Sequence, residues 1–452
     1  MRKTALEKDW TKGSIIGNLW SLSWPMMIGQ SLNMVGPTID MIWVGKLGTA
    51  AIAGVGVAGI AVMMLDSMTM SLGMGARALI ARFMGTGDIN GANHAARQSF
   101  VICSVFSIIM VLAGILLAEP LLRLLGMEAD VVSEGAVYMR ITLLGSAIAS
   151  FRMISEGIMQ SSGDSVTPMW VSIFTRVIHV VLCPFLVFGW WLFPALGVSG
   201  AAWTNVLSQG LGTAIGLWVL FSGRTRIRLT LSNFRIDLNM IWRIVRIAIP
   251  VSFMGMQRSL GQLVLMWFIS PFGTIAVAAH SLCQRVEMFI MMPGMGLGQG
   301  GGVLAGQNLG ADQPERAERS VWLAISVLEC FVVFSSVALL LWAENIVIIF
   351  SPEPEVIEVS GIFLRIAAAG YFLFSIEPIL SLSLSNVGDT IPPLLATVLS
   401  FWLLQIPLAH FLPQVANLGV YGIRWGMMIG MVIPAIALAV YFKLGRWKYK
   451  NV

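Results

Sequence analysis

The sequence predicts an all-α polytopic membrane protein, with twelve transmembrane helices in two pseudo-symmetric six-helix bundles that are parallel repeats of each other. Composition, a series of apolar runs and an internal duplication predict it. Of 452 residues, 57% are hydrophobic and only 11% charged, where a soluble chain carries about 25% charged residues. Mean hydropathy is +0.83. A membrane-spanning helix needs about 20 apolar residues. Runs of that kind lie at 14–43, 51–76, 99–118, 136–159, 169–191, 198–222, 246–270, 276–304, 320–343, 361–385, 394–412 and 421–442. They lack the short alternating strands that a membrane barrel requires.

The first run starts at Ser14 and leads straight into more apolar sequence, so it is too long for a cleavable signal. Basic residues then orient the spans. Of the 28 Lys and Arg, one face receives Arg2, Lys3, Lys8 and Lys12 of a tail at 1–13, and Arg77, Arg82 and Arg97 after span 2. The same face receives Arg224, Arg226, Arg228, Arg235, Arg243 and Arg246 in or beside a connection at 223–245, then Arg316 and Arg319, then Lys443, Arg446, Lys448 and Lys450 of a tail at 443–452. By the positive-inside rule this face is cytoplasmic, with both termini inside and the chain in the inner (plasma) membrane. The net charge of +5 follows from this bias and gives no reason to expect nucleic-acid binding. Cys103, Cys183, Cys283 and Cys330 stand in apolar runs without CxxC spacing and read as buried small residues, with no disulfide, metal or cofactor expected.

Shifted by 225 residues, the chain reads onto itself. Pro25 meets Pro250, Gly48-Thr49 meets Gly273-Thr274, Glu119 meets Glu344, Arg140 meets Arg365, and GDSVTP at 163–168 meets GDTIPP at 388–393. Near the end the offset slips to 222, where LGVSGAAW at 196–203 meets LGVYGIRW at 418–425. The halves are therefore 14–222 and 246–442, each of six spans and of the same orientation. Repeats of this kind are a transporter signature, with ligand near the bilayer midplane.

The order of motifs carries a resemblance. A proline early in span 1 is followed by an acid and VGKLG. GARALIARFMGTGD at 75–88 follows span 2, and FGTIAVAAHSLCQRVEMFIMMPGMGLGQGGGVLAGQNLGAD at 272–312 holds the equivalent place in the second half. Over nearly its whole length the chain resembles the multidrug and toxic compound extrusion family, MATE, of bacterial type. The resemblance implies two bundles forming a V-shaped cleft, and export of organic cations or amphipathic drugs in exchange for protons or sodium ions. Some relatives place an Asn and an Asp four residues apart in span 5, building a cation site with the span 1 acid. The matching positions here are His179 and Cys183, before Pro184. Cysteine offers no hard oxygen to sodium, so protons are the expected coupling ion. Span 7, where other relatives carry an acid, has Arg258 instead.

Ionisable residues inside spans are functional candidates because they are costly to keep there. Asp40, in NMVGPTIDMIWVG at 33–45, leads the list. Pro37, one turn earlier, leaves a carbonyl free and permits a bend, as does Pro25. Asn33, the free carbonyl and Asp40 are expected to form a polar pocket. Desolvation favours the neutral form of an acid, so a carboxyl placed there can hold and release a proton. Glu287 and Glu377 are the other coupling candidates. Arg285 is two residues from Glu287, on another helix face, so each is expected to find a partner across the bundle. Glu377 precedes Pro378, a helix breaker. Asp66, Arg258, Gln284, Met256, Met288, Met291 and Met292 are expected to line or support the cleft, since methionine suits promiscuous surfaces. Arg152 and Glu156 are spaced to pair on one helix. Asp164 and Asp389 read as turn or cap residues.

GVGVAG at 54–59 and GMGLGQGGG at 294–302 imitate nucleotide loops. They lack the strand–turn–helix setting and the Lys-Ser/Thr ending, and glycines let membrane helices approach closely. A membrane enzyme would need a catalytic cluster, and none is visible. A lipid-linked precursor flippase of related architecture is the alternative transporter; it would need several arginines around its anionic cargo, whereas spans 1 and 2 offer Asp40 and Asp66. The expectation is a monomeric antiporter taking small organic cations.

Overall fold

The computed structural model describes residues 8–450 except 45, 48, 125–128, 192, 231–233, 351–352, 372–374 and 416–417. It is helical, without a strand among the described residues. The first half holds α1 (Ile15–Val44), α2 (Thr49–Thr86), α3 (Ile89–Leu124), α4 (Ala129–Ser161), α5 (Val166–Phe188) and α6 (Val198–Phe221). The second holds α7 (Leu238–Ile269), α8 (Thr274–Gly310), α9 (Pro314–Ile348), α10 (Pro354–Gly370), α11 (Ile376–Asn386), α12 (Ile391–Val398), α13 (Ile406–Val415) and α14 (Val420–Leu444).

The duplication is visible in where helices start. Thr49 and Thr274, Ile89 and Pro314, Ala129 and Pro354, and Val166 and Ile391 open equivalent helices 225 residues apart, and Val198 and Val420 do so 222 apart. The side chains repeat as well. Arg140 meets Glu119 at 3.1 Å and Arg365 meets Glu344 at 3.0 Å. The turns before α5 and α12 both use a glycine at positive φ, Gly163 at +98° and Gly388 at +91°, a conformation that only glycine adopts without strain. In the first turn Asp164 Oδ1 caps the next helix, accepting the Thr167 N–H at 3.0 Å. In the second, Asp389 accepts from the Tyr441 hydroxyl at 2.6 Å and from Lys450.

Two differences between the repeats stand out among the described residues. α4 is continuous, but its counterpart ends at Gly370 and resumes as α11 at Ile376, which puts Glu377 and Pro378 in a first helical turn, where proline is tolerated. The counterpart of α5 carries a π-helical stretch, Leu399–Gln405, between α12 and α13.

The chain divides into two compact units, Ile28–Ser252 with Met1–Thr11, and Phe253–Val452 with Lys12–Met27. Two of the three dividing points, 27/28 and 252/253, follow the repeat offset and come two residues after Pro25 and Pro250. In the first unit, Val44, Met110, Tyr138, Met139, Leu143, Cys183 and Val187 form an apolar core. In the second, the glycines of α8 sit inside the bundle: Gly296 lies against Met27, Gly300 against Ser23 and Gly302 against Asn386. They serve backbone approach, as membrane helices require.

Eight helices among the described residues are long and apolar enough to cross a membrane. Their outer faces carry large apolar side chains such as Leu116, Trp267, Phe334 and Leu341, a surface made for lipid. Helices overrun the apolar runs at the basic face. α7 starts at Leu238, inside the expected connection, because its first turns carry polar residues that hydropathy does not register. Before it, Gln98 Nε2 donates to the Arg235 carbonyl at 2.7 Å and His94 Nε2 pairs with Asp237 at 3.0 Å. That hydrogen bond, with backbone N–H groups at Met240 and Asn239, holds the Asp237 carboxyl below its usual range. Cys330, expected to be buried, is exposed on α9; a small apolar residue suits lipid as well as it suits a core.

Candidate functional site

Among its described residues, the first unit buries one acid, and does so among polar partners. Asp40 is 2% exposed on α1. His179 and Cys183, spaced i, i+4, lie on one face of α5 and both point at it. His179 Nε2 is 3.0 Å and Cys183 Sγ 3.6 Å from Asp40 Oδ1. On the far side of the ring, Nδ1 is 3.5 Å from Ser208 Oγ of α6. Ser208 donates its own hydrogen to the Asn205 carbonyl at 3.0 Å, so its oxygen accepts from Nδ1–H. With Nδ1 protonated, a proton between Nε2 and Oδ1 is an additional one. It sits on imidazolium facing carboxylate, or on carboxylic acid facing imidazole, and the pair is neutral either way.

A cation stands beside this pair. Arg176, one turn before His179, is buried with its guanidinium against Gly36, one turn before Asp40. Gly36 lacks a side chain where a Cβ would collide with that guanidinium. The charges of Asp40 and Arg152 both act on Arg176. Arg152 pairs with Glu156, as their spacing predicts, and Glu156 also accepts from the Ser172 hydroxyl at 3.2 Å.

In the second unit, two ion pairs involve the expected coupling acids. Glu287 of α8 meets Arg424 of α14, whose side chain is 1% exposed. Arg424 also packs over the Phe363 ring at 5.6 Å and reaches Cys283. Glu377 lies 3.7 Å from Arg258 of α7 and accepts from the Ser381 hydroxyl at 2.8 Å. Glu329 of α9, an acid that sequence reasoning passed over, accepts from Ser375.

The MatE family model matches residues 25–185 and again 250–411, two matches whose starts are 225 residues apart. The chain belongs to the MatE family. Relatives of this MatE chain are similar over nearly their full length. Probable multidrug resistance protein NorM of Thermotoga maritima is 26% identical over 96% of this chain and 93% of the relative. Probable multidrug resistance protein YpnP of Bacillus subtilis is 26% identical over 97% of both. Among solved structures, a MOP superfamily transporter from Pyrococcus furiosus superposes with a TM-score of 0.91 over 98% of each chain, at 23% identity. MatE proteins are membrane transporters, and this chain is a multi-pass transporter rather than an enzyme.

Within the MatE fold the expected site residues fare unevenly. Asp40 is buried and partnered, but not by Asn33. Asn33 is exposed, and the polar pocket is built across to α5 rather than along α1. α1 runs unbroken through Pro25 and Pro37; the side chains of Pro37 and Asp66 lie outside the described residues. Glu287 finds its partner across the bundle as expected, while Arg285 is exposed. Gln284, Met256 and Met291 are half-buried, Met288 is exposed, and Met292 is buried. Arg424 and Arg176 went unnoticed in the sequence. Their signal was the same as that of Asp40, a charge inside an apolar run.

Proposed function

We propose that the chain is a secondary active multidrug efflux antiporter. It exports cationic or amphipathic organic compounds and takes up protons in return by alternating access, from the plasma membrane with both termini cytoplasmic. The observation that carries this reading is the Asp40–His179 pair, 3.0 Å apart and sealed from solvent. A pair holding one extra proton is neutral. Releasing it leaves a net negative charge that a cation, or a change in helix packing, must compensate. Two protonation states that favour different ligands or shapes are what a coupled switch needs. Cys183 in place of a hard oxygen ligand argues against sodium, and the names of the relatives support drug-like cargo. The test is uptake of a fluorescent organic cation into proteoliposomes under separately imposed gradients. Transport follows a proton gradient at equal sodium on both sides. Transport driven by sodium at clamped pH, with no response to protons, would reverse the assignment.

A further inference from the structure

The ligand atoms of Asp40, His179 and Cys183 lie within 4.8 Å of one another, all three residues buried. We propose that they form a binding site for a borderline-soft divalent cation of the zinc class.

Carboxylate oxygen, imidazole nitrogen and thiolate sulfur are together the ligand types that zinc prefers, at about 2.0–2.2, 2.0–2.1 and 2.3 Å from the metal. Tetrahedral angles at those lengths set ligand atoms about 3.3–3.6 Å apart. Nε2 and Oδ1 are 3.0 Å apart, Sγ and Oδ1 3.6 Å. Nε2 and Sγ lie within 4.8 Å of each other. Binding requires the His179–Asp40 contact to open by a few tenths of an ångström and Nε2 and Sγ to stand about 3.6 Å apart, with a fourth position left for water.

The outer shell suits it. A metal-bound histidine gives its other N–H to an oxygen that fixes the ring, and Nδ1 faces Ser208 Oγ at 3.5 Å. The nitrogen left for the metal, Nε2, is the one that points at Asp40. Charge also balances. The ion displaces the thiol proton and the proton shared by His179 and Asp40, so two protons leave for two positive charges and the buried site gains no net charge. The neighbouring charges among the described residues are Arg176, beside Asp40, and the Arg152–Glu156 pair, whose Arg152 also acts on Arg176. Arg176 opposes any cation. It weighs most against sodium, which leaves the thiol protonated and so lacks the second anionic ligand.

The site rests on ligand geometry and stands or falls apart from the transport reading. The experiment titrates purified, detergent-solubilised full-length protein with cobalt(II), then competes with zinc(II), and uses no transport assay. Thiolate ligation gives a sulfur-to-cobalt charge-transfer band, which zinc abolishes. Cys183→Ser removes the band. A protein carrying Cys103→Ser, Cys283→Ser and Cys330→Ser together keeps it. Ser208→Ala, which spares the ligands, weakens binding about tenfold. Absence of the band in the wild type, its survival in Cys183→Ser, or its loss in the triple variant while that variant still unfolds cooperatively, overturns the site. The wild-type result decides even where a single variant fails to fold.

Discussion

Asp40 and His179 are 139 residues apart in the chain and 3.0 Å apart in the structure. One sits on α1 and the other on α5, and Cys183 and Ser208 complete a line of polar contacts from α1 through α5 to α6. The line borders an apolar core that includes Val44, Leu143 and Val187. Each hydrogen bond in it is therefore hard to replace by water.

Arg176 depends on the absence of a side chain at Gly36. Gly36→Ala places a methyl group where the guanidinium lies; moving that flexible end inside a buried site costs about 1 kcal/mol, the low end for overpacking. Gly73→Ala is the control, because a Cβ there meets nothing within 4 Å and alanine favours helix. Thermal melting in detergent should place Gly36→Ala below the wild type and Gly73→Ala at or above it.

The Glu287–Arg424 pair should respond asymmetrically. Glu287→Gln leaves a buried guanidinium without its counter-charge, a loss of roughly 3 kcal/mol, the low end for buried pairs because Glu287 is partly exposed. Adding Arg424→Met removes the stranded charge and should restore much of the melting temperature. A double variant less stable than Glu287→Gln alone would show that Arg424 packs for its own sake.

At the basic face, Asp237 carries a depressed carboxyl. A group whose folded value lies below its unfolded one, about 3.9 for aspartate, contributes stability above that value and loses it as pH falls through the lowered one. Asp237→Asn should therefore flatten the pH dependence of melting below about pH 4, with His94→Gln reproducing part of the effect. An unchanged acid limb in Asp237→Asn would rule out this linkage.

Much of the fold was legible because two constraints write themselves into the sequence. The bilayer demands long apolar runs, and the duplication keeps landmarks in step: Thr49 and Thr274, which meet at the 225-residue offset, both open helices. Helix ends at the basic face were less legible, as α7 shows, because polar turns outside the lipid leave no hydropathic trace. Asp40 announced itself as a charge in an apolar run. Its partners did not: periodicity describes one helix at a time, so Asn33 on the same helix was favoured over His179 on another. The resemblance drew attention to His179 and Cys183 only as departures from a pattern. Arg424 was hidden inside LGVYGIRW, read only as a repeat landmark.

In the proposed mechanism Asp40 carries the coupling proton. Asp40→Asn keeps the size of the side chain and abolishes its titration. The decisive measurement is efflux of a fluorescent organic cation from cells at matched membrane expression. Asp40→Asn should fold, reach the membrane, and export the dye at less than about a tenth of the wild-type rate, the loss expected when one proton-transfer group contributes about 10²-fold or more. Export at the wild-type rate would make Asp40 a packing residue and rule out its part in proton coupling.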